Sequence, residues 1–241
     1  MQKDHVMPLT PKKRNGLEFL DLPPDVCTLE ELEESLGDLR AVNRYLGDRR
    51  TILKHLSAKM QGGEPVTMLD VATASADLPV AIVDWARKRG LRVSITGVDI
   101  NNRSIEIARR QTTSYPEIKV AVADGLNLPY PDKSFDFVLC SKTLHHMKEQ
   151  EAVRLIEEVL RVAKRGYIII DLRRSWVAYA LIYLLTRLFS SNRITRYDGP
   201  LSVMKSFTTS ELAALAKSAG AAKFTVSREP FWLLVLSGET T

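Results

Sequence analysis

Cysteine is nearly absent: the 241-residue chain has only Cys27 and Cys140, with no Cys-x-x-Cys spacing. Two such residues cannot build a disulfide framework, and the usage fits a reducing cytoplasm. No run reaches the roughly 18–20 apolar residues that span a bilayer. The nearest approach, Trp176–Phe189 (WVAYALIYLLTRLF), is interrupted by Thr186 and Arg187. The amino-terminal MQKDHVMPLTPKKRNG carries charge without the apolar core of a secretory signal, and is expected to be a solvated, partly disordered tail. There is no long basic stripe. The net charge is +5, but the basic residues are scattered in pairs such as Arg49-Arg50, Arg109-Arg110 and Arg173-Arg174, so nucleic acid is not an expected partner. Carboxylates and histidines show no metal-ligand spacing, and no metal is expected.

What is present is a core-forming composition, 45% hydrophobic and 26% charged, arranged periodically. Residues 28–60 read as helices, with Thr28 and Glu31 at capping-box spacing and Gly37 and Gly47 as break points. Gln61–Pro65 reads as a linker. Strands then alternate with helices: 66–72, 77–89, 92–99, 103–113, 118–123, 135–141, 149–163 and 167–172. Strands that are apolar at nearly every position imply a parallel sheet covered on both faces. After a helix from Thr208 to Gly220, two runs at 223–227 and 231–236 are joined by only Arg228-Glu229-Pro230. So short a connection makes an antiparallel hairpin. The fold class is therefore α/β: a doubly wound, mostly parallel, seven-stranded sheet with a final antiparallel strand and a helical cap. A tail and cap occupy 1–61. A ligand-binding domain occupies 62–241, with a helical insert at about 173–207.

The ligand of such a sheet lies beyond the carboxyl ends of its strands. The first of these ends, Ala72-Thr73-Ala74-Ser75-Ala76-Asp77, lacks the glycines that let backbone approach a pyrophosphate, and Asp77 would repel phosphate. A dinucleotide is a poor fit on that ground. Three strands end in acid, at Asp70, Asp99 and Asp124-Gly125, which suits a phosphate-free ligand with hydroxyl, amino and cationic groups. S-adenosylmethionine fits. The order of these residues, with "SFDFVLCSKTLHHM" and the closing hairpin, resembles the class I S-adenosylmethionine-dependent methyltransferases over roughly 66–237, nearest the ubiquinone/menaquinone-biosynthesis branch. "VNRYLGDRR", "DLRRSWVAY" and "RYDGPLSVMKSFTTSEL" further resemble bacterial methyltransferases encoded beside type III polyketide synthases. The resemblance implies a Rossmann-like methyltransferase fold. It implies that Asp70, Ala72, Thr73, Ala74 and Asp77 contact the methionyl part and that Asp99 takes the ribose. Ile100 would lie beside the adenine, Asp124 and Gly125 at its amino group, and Ser141 at the cofactor. Alanine stands where the family has glycine, at a cost of about 1–2 kcal/mol wherever φ is positive.

Methylation of oxygen or acidic carbon also needs a base. His146, ahead of its neighbour His145, is the candidate; the alternative is that both histidines only brace the next helix. Arg173 is expected to hold an acceptor carboxylate or phenolate, or else to pair with Asp171. Cys140 reads as a buried hydrophobe. Neither the Asp/Asn-Pro-Pro-aromatic run of adenine-amino methyltransferases nor the Pro-Cys pair of RNA cytosine enzymes is present, so a small acceptor is expected. Trp176–Phe189 is apolar on all faces and should be buried or lie in lipid. It is expected to form a packed cap or homodimer interface, a lid over a lipophilic pocket, or a peripheral membrane contact. Trp176, Tyr179 and Tyr197 would touch the substrate, and Tyr197–Pro200 would turn the chain back over the cleft. The expected function is methyl transfer to a phenol, quinone or polyketide-like molecule. The alternative is a methyltransferase-like fold that binds a ligand or partner, or guides a cyclisation, without moving a methyl group.

Overall fold

Apolar residues on both faces of Val66–Val71 (β1), Val93–Asp99 (β2), Ile118–Val122 (β3), Phe135–Ser141 (β4) and Ala163–Leu172 (β5) require cover on two sides, and helices supply it. The computed structural model, which describes residues 10–60 and 64–240, arranges these with Phe224–Glu229 (β6) and Leu233–Glu239 (β7) in one seven-stranded sheet. The order is β3-β2-β1-β4-β5-β7-β6, parallel from β3 to β5 and antiparallel at β5–β7 and β6–β7. Strand order reverses between β1 and β4, which places the switch point at the end of β1. β5 starts at Ala163, four residues earlier than the sequence pattern suggests, because helix α5 (Glu149–Val162) runs straight into it. β7 pairs closely there: a Cβ on Gly166 would stand 2.6 Å from Gly238 O.

One face of the sheet packs on α5 and α8 (Thr209–Ser218), and the other on α3 (Asp77–Arg87) and α2 (Asp48–Lys59). Ile52 and Leu56 of α2 are fully buried in the same core as Met68 and Ile168 of the sheet. α1 (Leu29–Tyr45) has the expected Thr28–Glu31 box. Gly37 stays within that helix, whereas Gly47, at φ +97°, separates α1 from α2. α4 (Asn102–Gln111) covers β2 and β3 and meets α1 through Ile107, Leu32 and Leu36.

Three expectations change. From residue 10 the tail is docked, not solvated: Pro11 O accepts from Arg174 Nε (2.9 Å), Arg14 N donates to Met204 O (3.1 Å), and Lys13 lies over the Phe207 ring. Residues 1–9, like 61–63 of the linker, lie outside the described part. α6 (Trp176–Phe189) is not enclosed on all sides. It packs on α7 (Arg193–Lys205), and only Ala178 and Thr186 are buried, while Val177, Leu184, Leu188 and Phe189 are exposed. Tyr197–Pro200 is no turn; it lies within α7. Pro200 cannot donate to Arg196 O four residues back, and the Arg187 guanidinium fills that role from α6 at 3.0 Å.

Candidate functional site

A cavity of about 1340 Å³ opens beyond the carboxyl ends of β1 to β4. Asp70, Ala72, Thr73, Ala74, Asp77, Asp99, Ile100, Asp124, Gly125 and Ser141 all line it, as do His145 and His146. The three carboxylate strand ends therefore rim one crevice.

The loop after β1 takes the glycine conformation without glycine. Ala72, Ala74 and Ala76 have φ of +57°, +49° and +58°. Local bonds hold it there. Thr73 donates through Oγ1 to Asp70 (2.6 Å) and through N to Val98 O (2.9 Å), while Ala74 N donates to Asp99 Oδ2 (2.9 Å). β2 must carry glycine opposite, since a Cβ on Gly97 would stand 2.8 Å from Thr73 Oγ1. The extra methyl groups are also used: Ala74 packs on the Leu32–Leu36–Ile107 cluster of the cap. Ala72 and Ala74 should consequently respond differently to glycine. Ala72→Gly relieves left-handed strain and loses only unfolded-state restriction, a net gain of about 0.5–1 kcal/mol. Differential scanning calorimetry should show its melting point raised by about 1–4 °C. Ala74→Gly should give no gain, because it also gives up its contact with α1.

Burial dominates the electrostatics. It pushes the Asp70 carboxyl up to about 7 against the Thr73 hydrogen bond, and the nearby Asp77 and Asp99 charges add to the rise. Burial likewise raises Asp99, opposed by the amides of Asn101 and Ala74. It raises Asp77 as well, despite Asn43 Nδ2 at 3.1 and 3.3 Å and Arg49 at 3.5 Å. Asp124 is exposed and accepts from Leu126 N (2.9 Å). The cap thus reaches the site. Lys142, after β4, donates to Asn43 Oδ1 (2.5 Å) and forms an ion pair with Asp48 (2.8 Å), tying α1 and α2 to the loop beside Asp77. Asn43, Asp48 and Arg49 belong to the "VNRYLGDRR" segment, which the sequence reading noticed only as a resemblance.

The histidines follow β4 on a short turn, Leu144–His146. His145 is buried, and Asp171 holds both its Nδ1 (2.6 Å) and its backbone N (3.1 Å). Burial alone would raise Asp171; the His145 charge and hydrogen bond, the Leu172 amide and the His146 charge together hold it below the usual carboxylate range. His146 Nδ1 bonds Asp21 (2.7 Å). Burial alone would lower the His146 pKa; the Asp21 bond and the charges of Glu18 and Asp21 win and raise it. Glu18, buried in the strap ahead of α1, faces both Nε2 atoms. Glu18, His145 and His146 present ligand-type atoms within 4.8 Å of one another, a grouping in space that their spacing in sequence does not show. Sequence spacing could not have found it, because Glu18 precedes His145 by 127 residues.

Four expected substrate residues lie off the cavity wall. Arg173 lines a separate small pocket with Trp232 and does not pair with Asp171; its neighbour Arg174 is the bonded one, to Glu211 (2.6 Å) and Ser206 O (2.6 Å). Trp176 and Tyr179 meet edge to face with centroids 6.2 Å apart, and Tyr197 is exposed against Phe19. The α6 residues that do line the cavity are Ile182, Leu185, Thr186 and Phe189.

A family model described as "Methyltransferase domain" matches residues 67–170. A demethylmenaquinone methyltransferase of Staphylococcus epidermidis is 28% identical over 122 residues, 51% of this chain and 48% of that protein. One from Bacillus licheniformis is 31% identical over 109 residues, 45% of each. The chain spans about half the length of these curated relatives. A solved S-adenosylmethionine-dependent methyltransferase from Aquifex aeolicus superposes with a TM-score of 0.61 at 18% identity, covering 91% of this chain and all of that one. Residues 67–170, whose strand ends build the crevice, thus match the methyltransferase-domain family model, and over about half its length the chain is similar to demethylmenaquinone methyltransferases.

Proposed function

We propose that the protein transfers the methyl group of S-adenosylmethionine to a lipophilic small molecule bearing an acidic oxygen or carbon, of phenol, quinone or polyketide type. The observation that carries this reading is one continuous cavity. It joins the Asp70–Asp99–Asp124 crevice to the histidine pair and to the apolar walls of α1 and α6, Leu36, Leu39, Val42, Ile182 and Leu185. Asp70, the Ala72–Ala74 backbone and Asp77 would receive the methionyl group. Asp99, each of whose oxygens keeps a free lone-pair direction, would take the ribose, and Asp124 the adenine amino group. Transfer from a sulfonium is an in-line displacement that asks for alignment and exclusion of water. His145 and His146 are the groups that would keep the acceptor as its anion. The menaquinone and ubiquinone branch to which the relatives belong supports an acceptor of this class.

Two measurements test the reading. Transfer of labelled methyl to members of a phenol and quinone library is expected; tight binding of S-adenosylhomocysteine with no label moved to any acceptor would favour the non-transferring alternative. The second is pH dependence. An acid raised to about 7 is mostly neutral below that value, and the ligand's ammonium prefers it ionised. S-adenosylhomocysteine affinity should therefore rise from pH 6 to pH 8, by up to about tenfold per unit on the acid side. Calorimetry in buffers of different ionisation enthalpy should show proton release near neutrality. A flat profile would remove Asp70 from the ammonium site.

A further inference from the structure

Around the histidine pair, carboxylates outnumber permanent cations. Glu18 and Asp21 come from the strap, Asp171 from β5 and Asp198 from α7, while Lys205 is the one lysine or arginine bonded among them in the described residues. Each imidazole is oriented by a carboxylate at Nδ1, Asp171 for His145 and Asp21 for His146. With the Nδ1 protons kept in those bonds, each ring in its neutral form offers an Nε2 lone pair to an incoming cation. Both Nε2 atoms face Glu18, at 4.0 Å from its Oε1 and 3.7 Å from its Oε2. These gaps are too wide for hydrogen bonds, so neither Nε2 is bonded to Glu18. Glu18 Oε1 accepts no hydrogen bond, although Lys205 Nζ lies 3.0 Å away. The centre of this group is built for a cation.

We propose that Glu18, His145 and His146 form a binding site for one divalent transition-metal ion, open toward the cavity. Two imidazoles with one carboxylate suit ions such as Zn²⁺ or Fe²⁺ better than the all-oxygen preferences of Mg²⁺ and Ca²⁺. A tetrahedral ion bonded at about 2.1 Å holds its ligand atoms about 3.4 Å apart, so atoms now within 4.8 Å of one another close on it with shifts of about 1 Å. Asp171 and Asp21 fill the outer role that fixes ring orientation in metal-bound histidines. Lys205 competes for Glu18 and retains Asp21, at 3.1 Å, when the ion binds. Three protein ligands leave a position for an acceptor oxygen. On the methyl-transfer reading, the ion then holds that oxygen as its anion.

The test is titration of the full chain, stripped by chelation and saturated with S-adenosylhomocysteine, with Co²⁺. One equivalent should bind with visible d–d absorption bands and be displaced by Zn²⁺. Glu18→Gln and His146→Gln should each weaken binding by about 100-fold or more. Asp171→Asn should weaken it by about 10–100-fold, and Lys205→Met should tighten it. S-adenosylhomocysteine affinity should stay unchanged in every variant that folds, which separates this site from the cofactor reading. Absence of the bands in the wild type, or bands that persist in both ligand variants, overturns the proposal.

Discussion

His145→Asn should lower methyl transfer by about two to four orders of magnitude, the usual contribution of a positioned proton-handling group. Affinity for S-adenosylhomocysteine should stay within about twofold. Asparagine is chosen because its amide nitrogen stands where Nδ1 stands, 2.6 Å from Asp171, and keeps that buried bond while deleting Nε2. Alanine would leave Asp171 buried without its partner, which costs about 3–5 kcal/mol and confuses activity with folding. Thermal melts of the asparagine variant should therefore remain close to wild type. Turnover that survives on the true acceptor would reduce His145 to a brace for the turn after β4.

Asp99→Ala should weaken S-adenosylhomocysteine binding by about 100-fold or more in isothermal titration. Two losses combine. A charge-assisted hydrogen bond to the ribose is worth about 1.5–3 kcal/mol, and 1.4 kcal/mol is a factor of ten. Asp99 also pins the loop itself, through Ala74 N and Asn101 N, both at 2.9 Å. Asp99→Asn keeps the shape but can turn an amide donor toward Ala74 N–H, so it should recover only part of the affinity. Asp124→Ala, at an exposed position that caps only Leu126, should cost about tenfold. Equal effects at 99 and 124 would mean that the ribose contact is absent.

The alternating pattern made the sheet legible, because strands buried on two faces and a three-residue link before β7 leave few topologies. The crevice was legible for the same reason: Asp70, Asp99 and Asp124 each end a strand, and strand ends in such a sheet converge. What escaped was built by contacts far apart in sequence. Glu18 and Asp21 reach His145 and His146 from a strap that α7 holds, Asp198 accepting from Phe19 N (2.8 Å) and Leu20 N (3.3 Å) and Lys205 pairing with both acids. The Tyr197–Pro200 run looks like a turn by composition. It is helical because a guanidinium from the preceding helix serves the carbonyl that proline abandons. The apolar run of α6 left its partners open: hydropathy does not say which faces a neighbour reaches, and here α6 packs on α7, lines the cavity and exposes Val177, Leu184 and Leu188.

Besides the Glu18 and Asp21 side chains, the strap is fastened by its main chain. Phe19 N, Leu20 N, Arg14 N and Pro11 O make the attachments, so the side chains of Leu17, Leu20 and Leu22 face the cavity without carrying those bonds. That wall can be re-sculpted residue by residue to admit bulkier or slimmer molecules while its moorings hold. It gives evolution, or a designer, a route to new acceptors that leaves the crevice untouched.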